Sequence, residues 1–433
     1  MAEIPTLHNV GGFGSVNSGR KPKSHMSPRG GLPGGGHSFN KPAWMGGFNV
    51  PFMIVLTIIV LFGLIVCHSA VSENEQYSFS RQLVGLAIGL VCFAVVYFYD
   101  YKVFERLTIP LLVITVIMIL SPHLPVIGVE AMGARSWVKL GMQFQPGEFA
   151  KVTVILFAAS LLAKYEGKLD DFKEYCKVCG LLAIPFVCIL TQPDLGTGLV
   201  YLVISAVVVI MGGAKARYVL ATVALIVVAF LALLAVDELL KTTSSDGTVE
   251  YKLLKNYQRS RLFVFLNQGD ADSSSDSYNL NQAMIAIGSG GLFGKGLGGA
   301  TQSTLGFLPE APTDFIFCVL SEELGFVGAL SLLVLYGFLL FFTIKIGHDS
   351  GDLFGMLICL GVSAMWFFQI LENIGMCIGV MPITGIPLPF VSYGSSFMIV
   401  NFTCSGLVAN VWRKSLAVGG SSMSKGVKYA KTI

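Results

Sequence analysis

The sequence predicts an all-α polytopic membrane protein with about ten transmembrane helices and a large extracytoplasmic loop between helices 7 and 8. Two observations lead to this fold class. Hydrophobic residues make up 54% of the 433 residues and charged residues only 13%, which leaves too little polar surface to cover a globule of this length in water. Apolar stretches long enough to cross a bilayer also recur along the chain. The solvent for most of the chain is therefore lipid.

These apolar stretches define the predicted elements. A bilayer core of roughly 30 Å requires about 20 mostly apolar residues per helical crossing, and fewer where a helix is broken. The fifth stretch is short and ends at Gln192 and Pro193, which is typical of a broken or tilted helix. The stretches lie approximately at 50–70, 83–99, 107–121, 149–163, 178–190, 198–212, 218–236, 315–343, 353–380 and 393–412.

The distribution of positive charge predicts the orientation. If the N-terminus is cytoplasmic, most of the 29 Lys and Arg residues lie in cytoplasmic segments, as the positive-inside rule requires. Residues 1–49 contain no apolar run typical of a signal peptide, and we expect a disordered basic cytoplasmic tail there. The transmembrane domain is predicted over 50–412, with the large outer loop at 237–313, and a second cytoplasmic tail at 413–433. For the basic residues of the tail, a solvated positive-inside flank is favoured over contact with anionic lipid, and the net charge of +3 gives no information on nucleic acid. The expected partners include membrane lipids and no nucleic acid.

Charged side chains at the membrane boundary are costly, which makes them candidates for function. Glu148 and Lys151 are three residues apart at a predicted helix start, so they share one face and can pair. An ion pair that only stabilises the bundle is the alternative interpretation. Asp194 follows Gln192 and Pro193 in a segment where Pro and Gly free the backbone around a single carboxylate. A tight turn explains the Pro and Gly equally well but does not require the Asp.

Asp314 lies in the segment 308–317, at the start of a long apolar helix. Capping of that helix by Thr313 or Asp314 is the alternative to a chemical role. The segment 381–394 contains three prolines, which predicts a rigid re-entrant or surface loop instead of a helix. Glu372 and Asn373, deep in the preceding apolar stretch, are expected to satisfy each other inside the bundle.

The Gly-rich run at 288–299 does not match a nucleotide-binding loop, because Ser289 stands where the first Gly of the Walker pattern belongs. Gly296 likewise stands where Ser or Thr should follow the Lys. We interpret the run as a flexible loop whose backbone bends closely over another group, with Lys295 available to an anion. A specific ligand-binding role is the less favoured interpretation.

Several segments together resemble the SEDS family (shape, elongation, division and sporulation), which are membrane glycosyltransferases that polymerise lipid-linked peptidoglycan precursor. The resemblance covers roughly residues 50–412. The similarity is closer to the elongation branch, RodA, than to the division branch, FtsW. The segments are GARSW at 133–137, PGEFAK at 146–151, QPDLGTG at 192–198, YQRSR at 257–261, IAIGSGGLFGKGLG at 285–298, LPEAPTDFIF at 308–317 with SEELG after it, and PITGIPLPFVSYG at 382–394.

The resemblance implies roles for particular residues. The functional carboxylate of the family corresponds to Asp314, with Glu310 and Thr313 in the same motif. The cavity-lining acids and base correspond to Glu148, Lys151 and Asp194. Three positions depart from the family pattern: Pro312 stands in place of His, Gly147 in place of Ser, and Ser395 in place of Gly. Pro312 removes a neighbouring imidazole, so no proton relay through such a group is expected.

The reaction that the resemblance implies requires only one carboxylate. Glycoside hydrolysis uses two carboxyl groups because an alkoxide leaves poorly and must be protonated. A lipid diphosphate leaves without that help, so one base and some positive charge suffice for transfer with inversion. Arg135, Lys151, Arg259 and Arg261 are the candidates for holding the diphosphate, together with a divalent cation, Mg²⁺ or Mn²⁺.

The resemblance also implies partners and a location. The expected substrate is lipid II, and the expected protein partners are a class B penicillin-binding protein transpeptidase and other proteins of an elongation or division complex. The expected location is the bacterial plasma membrane, with several crossings and both termini cytoplasmic. A flippase or similar transporter of the lipid-linked precursor is the alternative function. A transporter would place polar residues along the whole depth of the bundle, whereas here they gather on one side.

Overall fold

The computed structural model describes residues 47–72, 76–125, 127–131, 134–140, 142–192, 194–243, 249–250 and 275–430. The described elements belong to one compact unit, Ala43–Ile433, and most of them are helices. The helices are α1 (Val50–Ser72), α2 (Phe79–Phe98), α3 (Thr108–Leu120), α4 (Pro146–Ala163), α5 (Phe172–Leu190), α6 (Leu195–Met211), α7 (Ala216–Leu239), α8 (Ser275–Ser289), α9 (Thr301–Thr304), α10 (Ile316–His348), α11 (Leu353–Cys377) and α12 (Ser395–Ala430).

Each predicted apolar stretch corresponds to one of the long helices, which confirms the all-α polytopic fold class. Within the described part of the chain, α1, α2, α4, α7, α10 and α11 are long and apolar enough to cross a membrane, and α3 and α6 are shorter apolar helices. In the bundle, α12 packs along α2, α11 along α10, and α3 along α4. Helix α4 lies near the centre, and most of its residues are buried.

Two short sheets were not predicted. One contains β1 (Gly128–Ala131), β2 (Ala134–Leu140) and β3 (Met142–Phe144) in antiparallel order. Its strand β2 rests on the turn between α5 and α6, where Ser136 Oγ donates to the carbonyl of Gln192 (3.2 Å). The other contains β4 (Thr242–Thr243) and β5 (Val249–Glu250). The long predicted loop at 237–313 therefore carries its own secondary structure, including α8 and α9.

The segment 381–394 is a buried loop without helical structure, as its prolines predict. Phe390 is fully buried between Trp366 of α11 and Phe402 of α12, with ring centroids 5.5 and 5.9 Å away. Tyr336 of α10 donates its hydroxyl to the carbonyl of Pro389 (2.6 Å). Irregular backbone is tolerated inside a membrane protein only where protein covers it and satisfies its polar groups. The loop 381–394 can lie inside the bundle because protein covers it and binds its polar groups.

Candidate functional site around Asp314

Asp314 lies in a series of turns immediately before α10. Its backbone N–H donates to the carbonyl of Glu310 (3.0 Å), a residue held at a φ of 55°. The N-cap residue of α10 is Phe315, and the hydroxyl of Thr313 donates to the carbonyl of Glu310 (3.1 Å). The interpretation of Thr313 or Asp314 as the helix cap is therefore wrong, because the helix begins later than the sequence pattern suggests.

The buried loop 381–394 holds this segment in place through backbone atoms. Asn373 Nδ2 donates to the carbonyl of Asp314 (2.7 Å) and to the carbonyl of Ile386 (2.8 Å), so it joins the two segments. Ser392 Oγ donates to the carbonyl of Thr313 (2.6 Å). These bonds use main-chain oxygens of residues 313 and 314, and the Asp314 carboxylate is not needed for them.

The carboxylate of Asp314 faces the loop at Gly385. A Cβ atom added at Gly385 would lie 2.8 Å from Asp314 Oδ2, and Gly385 has a φ of 75°. The neighbouring Thr384 donates its hydroxyl to Glu372. The expectation that Glu372 and Asn373 satisfy each other is wrong, because each binds the loop instead. The sequence analysis did not predict that Asn373 binds the backbone of Asp314. The position of this polar residue inside an apolar helix was the signal that indicates such a role.

Glu310 and Thr313 lie with Asp314 in one acidic cluster. Tyr77, just before α2, donates its hydroxyl to Glu310 Oε2 (2.6 Å), and Thr313 Oγ1 is 3.2 Å from the same oxygen. Burial raises the pKa of Tyr77 above its usual range, and the hydrogen bond to Glu310 and the negative charges of Glu310 and Asp314 raise it further. The structure thus brings together three of the predicted site residues.

Asp194 is the N-cap residue of α6, a role that the sequence interpretation did not identify. Its carboxylate accepts from the backbone N–H of Thr197 (2.9 Å) and from Gln145 Nε2 (3.0 Å). This helix start also contacts the buried loop, since a Cβ at Gly196 would lie 3.0 Å from Ile386. The loop 381–394 therefore touches both the Asp314 segment and the segment of Asp194.

Glu148 and Lys151 form the predicted ion pair, with Lys151 Nζ 2.6 Å from Glu148 Oε1. The side chains are only 6% and 1% exposed, respectively. Lys151 also lies over the ring of Phe397 of α12, 5.7 Å from its centroid, and Tyr201 of α6 donates to the carbonyl of Gly147 (2.8 Å). The pair thus lies where α4 meets α6 and α12, and its contact with substrate stays a prediction.

The described structure does not test the three predicted arginines, whose role at the site stays a prediction. Arg135 lies in β2, where its backbone alone is described. Arg259 and Arg261 lie outside the described residues. Lys295, interpreted as available to an external anion, is instead paired with Glu322 of α10, with Nζ 2.5 Å from Oε1. The Gly-rich run does bend over a carboxylate, but the carboxylate belongs to the chain itself.

A groove of about 630 Å³ lies along α1, between the start of α2 and residues 297 and 298. Its walls are the apolar side chains of Leu61, Leu64, Ile65, Phe79 and Leu297. Its polar end is formed by residues 68, 69 and 72 at the end of α1, a few residues before Tyr77 in the chain. A groove with apolar walls and polar residues at one end suits an amphiphilic molecule.

Within the described ranges, no group of three or more His, Cys, Asp or Glu side chains is placed to hold a metal ion. Mg²⁺ is often held by one or two carboxylates together with substrate phosphates. The expectation of a divalent cation therefore rests on the phosphates of the substrate.

Comparison with known proteins shows similarity along nearly the whole bundle. Residues 49–416 match the FtsW/RodA/SpoVE family, described as cell cycle protein. The peptidoglycan glycosyltransferase RodA of Treponema pallidum (strain Nichols) is 33% identical over 429 residues, which cover 84% of this chain and 98% of the relative. Stage V sporulation protein E of Bacillus subtilis (strain 168) is 32% identical over 373 residues, with coverages of 84% and 96%.

A solved structure has the same fold. A chain from a peptidoglycan synthase complex that coordinates polymerization and crosslinking superposes with a TM-score of 0.70 at 30% sequence identity. The superposition covers 85% of this chain and 98% of that one. The similarity thus extends over almost the entire length of the solved chain.

Proposed function

From the premise that this chain belongs to the FtsW/RodA/SpoVE family and is a peptidoglycan glycosyltransferase, we propose that it polymerises lipid II on the outer face of the membrane. In lipid II a disaccharide-peptide is linked through a diphosphate to a polyprenyl lipid. The observation that carries the proposal is the position of Asp314. Its carboxylate lies in an acidic cluster beside the buried loop 381–394, while its backbone is held by Asn373.

The proposed reaction is an inverting transfer with one carboxylate. The acceptor sugar hydroxyl attacks the anomeric carbon of the donor, and the bond from that carbon to the diphosphate oxygen breaks. Asp314 accepts the hydroxyl proton as the new glycosidic bond forms, which is general base catalysis. The lipid diphosphate departs as an anion, so no second carboxylic acid is required, in contrast to glycoside hydrolysis.

The groove along α1 supports an amphiphilic substrate. Its apolar walls suit a polyprenyl chain, which can pack against them in place of lipid tails. Phe79, in the wall of the groove, is two residues from Tyr77, whose hydroxyl binds Glu310 in the Asp314 cluster. A lipid tail in the groove would therefore bring its headgroup to the carboxylate that acts on it.

A transporter of the same precursor is the alternative, and one experiment separates the two. The purified chain is reconstituted into vesicles that contain fluorescent lipid II, and both glycan length and movement between leaflets are measured. We expect glycan chains longer than the disaccharide without any added enzyme. Movement of lipid II between leaflets with no glycan product would support the transporter and contradict the proposal.

The cellular role that we propose is elongation and shape, on the similarity of residues 373–394 to the RodA branch. The RodA relative and the sporulation relative match at nearly the same identity, 33% and 32%. Overall identity therefore does not separate elongation from division or sporulation. The test is genetic: restoration of rod shape in a host depleted of its own RodA supports the elongation role, and restoration of septation in a host depleted of FtsW contradicts it.

The partner that we propose is a class B penicillin-binding protein transpeptidase. It is supported by the solved relative, which comes from a complex that coordinates polymerization and crosslinking. Such an enzyme would crosslink the strands made here, within a larger elongation or division complex. Copurification in mild detergent tests it, with a known pair as control; recovery of the control pair but of no transpeptidase with this chain would contradict it.

Both termini are proposed to be cytoplasmic, with the segment that precedes α10 outside. We expect a Cys introduced at Leu305, 65% exposed before α10, to react with an impermeant maleimide on intact cells. A Cys introduced at His348, 85% exposed at the other end of α10, should react only after permeabilisation. Native Cys176 is exposed and is replaced by Ser in both variants. Labelling in the reverse order would overturn the topology.

Gly385→Ala is expected to reduce polymerisation about 10–100-fold, because a misplacement of about 1 Å at a catalytic group costs rates of this order. The added Cβ would meet the Asp314 carboxylate at 2.8 Å and displace it. Gly351→Ala is the matched control, since Gly351 has the same φ of 75° with no atom within 4 Å of an added Cβ. Both variants carry similar backbone strain, about 1–2 kcal/mol. Equal polymerisation rates in the two would contradict the placement of Asp314.

A further inference from the structure

Helix α10 is broken at Gly325, and the Gly-rich segment fills the break. Gly325 has a φ of 65° and a ψ of −165°, so the helical hydrogen bonds across it are lost. The carbonyls of Glu322 and Glu323 accept instead from the N–H groups of Lys295 (3.0 Å) and Gly296 (2.9 Å). The N–H groups that follow the break, of residues 326 and 327, donate to the carbonyls of residues 291 and 292 (2.9 and 3.1 Å).

The fit between the two segments is tight. A Cβ at Gly294 would lie 2.1 Å from the carbonyl oxygen of Glu323, and one at Gly325 would lie 2.3 Å from the nitrogen of Gly294. No side chain can be accommodated at these distances, so glycine is required at both positions. The freed backbone groups of a broken helix in a membrane protein must find partners within the protein, and this segment supplies them.

Two buried carboxylates next to the break hold the same segment by its side chains and amides. Glu322 accepts from Lys295 Nζ (2.5 Å), from Thr301 Oγ1 (2.6 Å) and from the backbone N–H of Thr301 (2.9 Å). Glu323 accepts from the backbone N–H of Gly298 (3.0 Å) and from Ser69 Oγ of α1 (2.5 Å). Both Glu side chains are almost fully buried. We call Glu322, Glu323, Lys295 and Thr301 the carboxylate clamp.

The carboxylate clamp lies between two parts of the proposed site. Leu297 and Gly298, in the middle of the clamped segment, form one wall of the apolar groove. Thr301 begins α9, after which the chain turns at residues 305–310 and reaches Asp314. The N–H of Leu308 donates back to the carbonyl of Gln302 (3.2 Å), so the clamped end and the Asp314 segment are joined by a short, bonded connection.

We propose that the carboxylate clamp is a positioning device for the transfer reaction, which fixes the groove wall at 297–298 relative to the Asp314 carboxylate. Its members act by holding the segment 295–301, while the proton transfer is assigned to Asp314. This inference rests on the proposed function, because it assumes that the groove holds the lipid and that Asp314 acts on the headgroup. Loosening the clamp leaves the apolar groove side chains present, so substrate still binds. It changes the alignment of the reacting groups, to which rates are far more sensitive than binding is.

Lys295→Met tests the charged part of the clamp. We expect kcat for glycan synthesis to fall about 10-fold or more, as rates do when alignment is lost. KM for lipid II should change by less than about threefold, because the groove side chains that contact the lipid are unchanged. Lys295→Arg keeps the charge and should restore most of kcat. Lys414→Met is the control for loss of an ion-paired Lys of the same exposure: Lys414 is 32% exposed and Lys295 is 31% exposed. Because Asp100 is 40% exposed whereas Glu322 is 1% exposed, the melting temperature of Lys295→Met is measured together with its kcat.

Thr301→Val provides a second, milder test in case Lys295→Met folds poorly. It removes the hydroxyl of an exposed residue, which donates to Glu322 (2.6 Å) and accepts from Lys295 Nζ (2.9 Å), and it keeps the side-chain shape. Thr304→Val in the same short helix is its control, since Thr304 is equally exposed. We expect Thr301→Val to have a lower kcat than Thr304→Val, and the two variants to have the same melting temperature.

The outcomes separate this inference from the proposed function. If the parent chain polymerises lipid II and Thr301→Val matches Thr304→Val in kcat, the clamp has no positioning role. If kcat falls only in proportion to a lower melting temperature, and Lys295→Arg does not restore it, the clamp is structural and the inference is overturned. A parent chain that makes no glycan would overturn the proposed function, and this inference with it.

Discussion

Lys151→Met and Glu148→Gln are each expected to destabilise the folded bundle by about 3–5 kcal/mol, the usual cost of removing one partner of a buried ion pair. Lys151 is 1% exposed and Glu148 is 6% exposed, so water cannot solvate the charge that remains. The double variant Glu148→Gln/Lys151→Met leaves no buried charge and should recover most of the loss. Its melting temperature is therefore expected to lie above that of either single variant.

The matched control for this pair is Lys177→Met. Lys177 and Glu174 have the same spacing of three residues in α5, at 3.5 Å, but their side chains are 64% and 42% exposed. Solvent screens such a pair, so this variant should melt with the parent. Melting is measured by size-exclusion chromatography of heated, detergent-solubilised protein. If Lys151→Met also melts with the parent, or if the double variant is less stable than both single variants, the pair does not stabilise the bundle in this way.

Much of the fold was predictable because the bilayer sets the length and composition of each helix. The stretches from 50–70 to 393–412 all became helices, and the prolines of 381–394 correctly indicated a loop. The break in α10 was not predictable. The predicted stretch 315–343 runs through residues 321–325 as one helix, whereas Gly325 leaves helical geometry because the Gly-rich segment, distant in sequence, supplies partners for the freed backbone.

The candidate site was predictable where residues close in sequence interact. The spacing of Glu148 and Lys151 correctly indicated an ion pair, and the segment 308–317 correctly grouped Glu310, Thr313 and Asp314. Contacts between distant segments were missed. Asn373 donates a hydrogen bond to the carbonyl of Asp314, 59 residues away in sequence. Lys295 forms its ion pair with Glu322, 27 residues away. Neither pairing leaves a local pattern, because both depend on how helices and loops dock.

Asp314→Asn is expected to reduce glycan synthesis by about 10²–10⁴-fold, the usual contribution of a general base. Asn has nearly the same size but cannot accept the hydroxyl proton. The folded structure should persist, because Asn373 and the carbonyl of Glu310 bind the backbone of residue 314 and not its carboxylate. Neither Thr313 nor Asp314 occupies the N-cap position, so no helix cap is lost.

Asp352→Asn is the control for removing a carboxylate that has a structural role. Asp352 is the N-cap residue of α11, accepts from the backbone N–H of Gly355 (3.0 Å) and from the hydroxyl of Tyr101 (2.6 Å), and lies at the other end of α11 from the loop 381–394. We expect this variant to lose stability without losing polymerisation at temperatures where it is folded. The two Asn variants should therefore show opposite patterns of stability and activity.

The most direct measurement is the initial rate of glycan formation by purified chains supplied with lipid II and no other protein. The parent, Asp314→Asn and Asp352→Asn are compared at one temperature below all three melting points, with lipid II binding measured in parallel. The account predicts glycan ladders from the parent and from Asp352→Asn, and none from Asp314→Asn despite equal binding of lipid II. A ladder from Asp314→Asn at the parent rate would contradict it.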